Sequence, residues 1–179
     1  VLPRVARGEL CLALALEESH RHDPLGVRLE ATRHGEGFRL NGSKQFVLDG
    51  HSADQLVVVA RSRGEPGGTD GISLFLVDAN APGIARRRSI LMDSRNAARI
   101  EFLDVDVNAD ALLGAEGEAW PAPEQVLDRG RAASVVEQLA DAQLLGTDAL
   151  DRADGSLQHV VPAVELLRLL DGHDVARLL

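Results

Sequence analysis

A chain of 179 residues, 45% of them hydrophobic, can bury a sizeable core as one large domain or as one domain with an appendage. Its 28 Asp and Glu against 19 Lys and Arg give a net charge of -9, which argues against nucleic acid and anionic membrane surfaces as partners. No apolar run approaches the roughly 20 residues that span a bilayer, and the single cysteine, Cys11, excludes an internal disulfide, so a cytoplasmic chain with Cys11 buried as a small apolar residue is expected.

The chain starts at Val1 and enters a strand-like run almost at once, which suggests a fragment or a trimmed chain. Leu10 to Leu16 is the first predicted strand. Val27 to Arg33 and Phe38 to Val47 follow, flanking Gly35-Glu36-Gly37, which reads as a tight hairpin loop. Gln55 to Ala60 and Ile72 to Val77 are apolar throughout, as central strands covered on both faces would be, with a loop from Gly64 to Gly71 between them. Arg86, Arg87 and Arg88 read as a solvated strand edge. Arg99 to Val107 alternates apolar and charged residues, with a slip at Leu103 and Asp104 that marks a bulge. After Gly117 the period changes. A helix is predicted over 123–152 and a second from about Pro162 to Leu170, stopped by Gly172. Trp120 is expected to cover the junction. Gly35, Gly37, Gly42 and Gly50 form no dinucleotide fingerprint and read as turn glycines. The resulting division is 1–117 as a β-domain and 118–179 as a helical part, and two helices alone need the β-domain or another chain to cover their apolar faces.

One collective signal goes further. Leu40-Asn41-Gly42-Ser43-Lys44, Phe46 to Gly50, Ala53-Asp54, Val57 to Arg61, Gly71 to Val77, Pro82-Gly83, Ile100-Glu101-Phe102 and Asp104-Val105 stand in one order and register over more than half the chain. This succession resembles the middle β-domain of the acyl-CoA dehydrogenases, and Leu127 to Ala133 with Gly155 to His159 resembles the start of that family's C-terminal helical domain. The resemblance implies a fold of mainly β with added α, an antiparallel β-barrel followed by two helices. It implies an FAD-dependent oxidoreductase of fatty acid metabolism acting on the CH–CH bond of acyl-CoA thioesters, in a homo- or hetero-oligomer. The alternative is a non-catalytic subunit or remnant that pairs with a full-length member.

The same resemblance places a site. Leu14, Leu16, Glu17 and Glu18 occupy the stretch that lines the flavin, with Glu17 where a threonine is usual, and Phe46, Val47 and Leu48 replace an aromatic-x-Thr. Ser19 and Asp23 stand in for a Gly-Ser-Asp loop that meets the substrate. Arg152 takes the place of an arginine that holds FAD across a subunit interface, without the Phe-Gly that usually follows. A carboxylate at Glu17 disfavours an anionic reduced flavin, and Leu48 offers no hydroxyl. Two lost polar contacts weaken flavin binding by something like 1 to 3 kcal/mol. No catalytic base and no metal site are assigned.

Overall fold

The computed structural model describes residues 1–91 and 96–130. A one-turn helix, α1 (Leu2–Ala6), with Pro3 in its first turn, precedes eight strands among the described residues. These are β1 (Leu12–Ala15), β2 (Glu30–His34), β3 (Gly37–Leu48), β4 (Gln55–Arg61), β5 (Ile72–Asp78), β6 (Ile84–Ile90), β7 (Asn96–Val107) and β8 (Leu112–Leu113). A helical stretch then covers 121–130. None of the helices among the described residues is long and apolar enough to cross a membrane.

The strands form one sheet in the order β6-β7-β3-β2-β4-β5-β8, with β1 beside β4. The sheet-dominated fold expected from the sequence is therefore present, with two differences. Most pairs are antiparallel, but β1 and β2 both run parallel to β4, so the sheet is mixed. It is also open and not closed into a barrel, since β6 and β8 stand at opposite ends of the ladder. β8, with two residues, is too short to close it, and β6 is guarded by its arginines.

The apolar runs of β4 and β5 fold as two-sided strands. Leu56, Val58 and Ala60 alternate with Val57 and Val59, the first set packing with Phe38, Leu40, Phe75 and Ile100, the second with Ile72, Leu74, Trp120, Val126 and Leu127. Each buried Val, Leu or Phe contributes about 1.5 to 3 kcal/mol relative to exposure, which is why these two strands anchor the sheet. Trp120 is buried against Val126 and Leu127 of the 121–130 helical stretch. The helix starts at 121, two residues before the predicted start; the remainder of that helix, the second helix and Arg152 lie outside the described residues.

His34 pairs with Gly37, so Gly35 and Glu36 form the two-residue hairpin loop, with Gly35 at φ +58°. The slip at Leu103 and Asp104 is a bulge: Leu40 pairs with Val105 and Gly42 with Phe102, leaving both residues opposite Asn41. Asn41 closes it on both sides, donating to Asp104 Oδ1 at 3.2 Å and accepting from the Asp104 N–H at 2.9 Å. Gly42 proves to be a strand glycine and not a turn glycine. At φ +142° it approaches β2's lead-in so closely that an added Cβ would stand 2.9 Å from Leu29 Cα. Cys11 is exposed, contrary to expectation, because it precedes β1 and its N–H donates to Asp54 Oδ2 at 2.8 Å, turning the residue outward at the strand entry.

Of the three arginines on β6, Arg86 is spent structurally. Its guanidinium donates to the carbonyls of His51 at 3.2 Å and Ala53 at 3.0 Å and to Asn80 Oδ1 at 2.7 Å. Arg87 and Arg88 are exposed.

Candidate functional site

β1 ends at Ala15, and the next three residues run beside β3. The Gln45 N–H donates to Glu17 O at 2.7 Å, the Gln45 side chain donates to Glu18 O at 3.3 Å, and Lys44 Nζ donates to Leu16 O at 2.9 Å. Lys44 has no exposed surface. A buried ammonium needs a compensating charge, and Glu18 supplies it, with Oε1 at 2.7 Å from Nζ. The Glu18 carboxylate also accepts the N–H groups of Arg28 at 2.8 Å and Leu29 at 2.9 Å, which ties the lead-in of β2 to the same point. Burial pulls the Lys44 ammonium down to about 8, with Glu18 opposing that shift.

Immediately after Lys44 the register slips again. Lys44 pairs with Ile100 and Val47 with Ala98, so Gln45 and Phe46 together oppose Arg99. Phe46 sits in this bulge at φ +50°, a region a bulky side chain enters only when its surroundings impose it, at a cost of order 1–3 kcal/mol. The residue is 44% exposed, and the His20 and Phe46 rings meet edge-to-face at a centroid distance of 6.0 Å.

His20 belongs to the connection between β1 and β2, which is internally tied. Glu17 Oε1 lies 2.7 Å from His22 Nδ1, and its Oε2 accepts the Asp23 N–H at 3.1 Å. The Ser19 hydroxyl both donates to Arg21 O and accepts the Arg21 N–H, making a compact turn.

Glu17, Ser19 and Asp23 thus lie in one internally bonded connection, and His20 of that connection meets Phe46. Leu48 follows on β3, half-buried and paired with Ala97. Leu14 is half-buried in the group around Val57, Val59 and Trp120, and Leu16 is buried in the same group, so that only its carbonyl, bound to Lys44, belongs to the site. Val47 is 1% exposed and packs into the core with Ala98 and Ile100. Its side chain cannot reach a ligand, because the bulge turns Phe46 out and Val47 in. The polar scaffold of Lys44, Glu18 and Gln45 was missed. Strand alternation held the signal, since Lys44 shares the phase of the buried Phe38 and Leu40, and a lysine on that phase calls for a carboxylate. A separate groove of about 420 Å³ on β6 and β7 is lined by Ala85, Arg86, Arg87, Arg99 and Glu101.

A family model described as "Acyl-CoA dehydrogenase, middle domain" matches residues 11–105, more than half of the chain. The mitochondrial long-chain specific acyl-CoA dehydrogenase of Mus musculus is 36% identical over 124 residues, covering 66% of this chain and 29% of that protein. An acyl-CoA dehydrogenase of Bacillus subtilis is 30% identical over 161 residues, covering 88% of this chain and 42% of its own length. The chain therefore spans less than half the length of either relative. Among solved structures, a glutaryl-CoA dehydrogenase from Mycobacterium smegmatis in complex with FADH2 superposes with a TM-score of 0.59 at 28% identity, over 70% of this chain and 33% of that one. Butyryl-CoA dehydrogenase from Megasphaera elsdenii gives 0.69 over 94% of this chain and 48% of its own, at 23% identity, a likeness of fold.

Proposed function

Because the chain belongs to the acyl-CoA dehydrogenase family, we propose that its Phe46 bulge and the 17–23 connection form one wall of a flavin site serving the oxidation of acyl-CoA thioesters. The observation that carries this reading is the exposed Phe46 ring, held out of the core by a strained backbone at the position where the sequence pattern expects an aromatic flavin neighbour. An aromatic face suits an isoalloxazine through offset stacking and burial of apolar area. FAD, when bound, supplies the hydride acceptor.

The donor set fits that cofactor in part. Phe46 and Leu48 supply apolar contact, Arg21 supplies a cation for a phosphate, and His20 and His22 supply ring N–H donors. Leu48 supplies no hydroxyl. The charge of Glu17 is met by His22 and the Asp23 N–H, which lessens its repulsion of a reduced flavin. We assign no catalytic base to the described residues. Arg152 enters the reading as a further flavin contact, in a homo- or hetero-oligomer. Ser19 and Asp23 face the thioester in this reading.

Flavin titration of the purified chain, followed by fluorescence quenching, tests it. Phe46→Ala is expected to weaken FAD binding at least tenfold, as loss of an aromatic contact worth about 1.5 kcal/mol or more. Leu48→Thr is expected to tighten it by roughly two- to tenfold, the range of one added neutral hydrogen bond. A colourless chain that leaves flavin fluorescence unchanged, alone and with a full-length family member present, would end the reading.

A further inference from the structure

The strain at Phe46 needs a source of restraint, and the structure supplies one on the residues that flank it. Lys44, directly before the bulge, is pinned through its side chain to Leu16 O and Glu18, and Gln45, inside the bulge, is pinned through its N–H to Glu17 O and through its side-chain amide to Glu18 O. Four hydrogen bonds thus run from two successive β3 residues to three successive residues after β1. After the bulge, Val47 is locked into the core at 1% exposure. Phe46 is the residue between these fixed points, and the chain has one residue too many to pass from Lys44 to Val47 in extended geometry opposite Arg99 alone.

We infer that Lys44, Glu18 and Gln45 act as positioning residues for ligand binding: their clamp on the 16–18 segment forces Phe46 into its left-handed conformation and so aims the ring outward as a stacking platform. Glu18 is the centre of the device, because the same carboxylate that neutralises Lys44 also holds the Arg28 and Leu29 amides. The inference rests on the flavin reading for what the ring stacks against, and on geometry alone for what aims it.

The experiment uses backbone NMR and flavin titration on the whole chain. The paired Cα and Cβ shifts of Phe46 report a left-handed residue in the wild type. In Glu18→Gln, and in the double variant Lys44→Met with Glu18→Gln, chosen because it leaves no unpaired charge, they are expected to move to extended values while the rest of the sheet keeps its shifts. FAD affinity is expected to fall about fivefold in both variants, the equivalent of about 1 kcal/mol. As a control, Phe46→Gly removes the need for restraint, since glycine takes positive φ unaided. Glu18→Gln is therefore expected to lower the folded-to-unfolded ratio more in the Phe46→Gly background than in the wild type, where release of the Phe46 strain offsets part of the loss. Retention of left-handed Phe46 shifts in both folded clamp variants, or equal stability losses in the two backgrounds, would overturn the inference. If the wild type binds no flavin, the functional reading falls, and the Phe46 shifts with the stability cycle still decide the clamp.

Discussion

Replacing Arg61 by Met is expected to lower the unfolding free energy by about 3 to 5 kcal/mol, a large share of the stability of a domain this size. The residue is 7% exposed, and its guanidinium donates to four backbone carbonyls, Val27 at 2.9 Å, Asp70 at 2.7 Å, Gly68 at 3.0 Å and Leu25 at 3.2 Å, with the Asp70 carboxylate near enough to feel its charge. One side chain thus joins the approach to β2 with both ends of the loop between β4 and β5. Only a planar fork of donors reaches so many acceptors at once. Arg61→Lys, with three donors on a single atom, is expected to recover less than half of the loss. Urea titration measures both variants, and limited proteolysis should show new cleavage within 62–71. A loss under 1 kcal/mol for the Met variant would mean that water replaces the guanidinium without difficulty.

The second large effect concerns Lys44. Lys44→Met removes the cation and leaves the Glu18 carboxylate, 14% exposed, with only two backbone amides, at an expected cost of about 3 kcal/mol. Adding Glu18→Gln to it should restore much of that loss, since the neutral pair has no stranded charge. The pH dependence follows from the depressed Lys44 value. The folded chain releases this proton at about 8, whereas the unfolded chain holds it until about 10.5, so between these values the unfolded state binds more protons. Stability from this group is therefore lowest and constant below pH 8 and rises as pH climbs toward 10.5. The total gain is about 3.5 kcal/mol at most, the free energy that separates proton release at about 8 from release at about 10.5. Subtracting the Lys44→Met curve from the wild-type curve cancels other titrating groups. A flat difference between pH 7.5 and 10 would show that Lys44 keeps an ordinary value.

The fold was legible where period and punctuation agreed. The unbroken apolar runs of β4 and β5 announced burial on both faces, Gly35-Glu36 announced the hairpin, and the broken alternation at Leu103 and Asp104 announced the bulge. Strand order is a different kind of information. That β2 lies between β3 and β4, or that β1 runs parallel to β4, depends on contacts far apart in the chain, which no local pattern encodes. The second bulge went unread because Ser43-Lys44-Gln45 followed by Phe46-Val47-Leu48 carries no alternation from which a slip could be read. Its cause is a set of hydrogen bonds from residues 16 to 18, nearly thirty positions away. Site residues followed the same division: Phe46 was singled out by its place in a motif, whereas the pairing of Glu18 with Lys44 is visible only in three dimensions.

The arginines of β6 have a further consequence, for behaviour in bulk solution. Among the described residues this strand lies at one end of the sheet, its outer rim open, and it carries Arg87 and Arg88 into solvent. Were two molecules to approach rim to rim, these cations would oppose each other within a few ångströms. At about 0.1 M salt the screening distance is roughly 10 Å, so the repulsion acts before any interchain ladder can form. The rim thus repels its own kind while the acidic remainder of the surface keeps molecules apart elsewhere, a safeguard that concentrated salt would weaken.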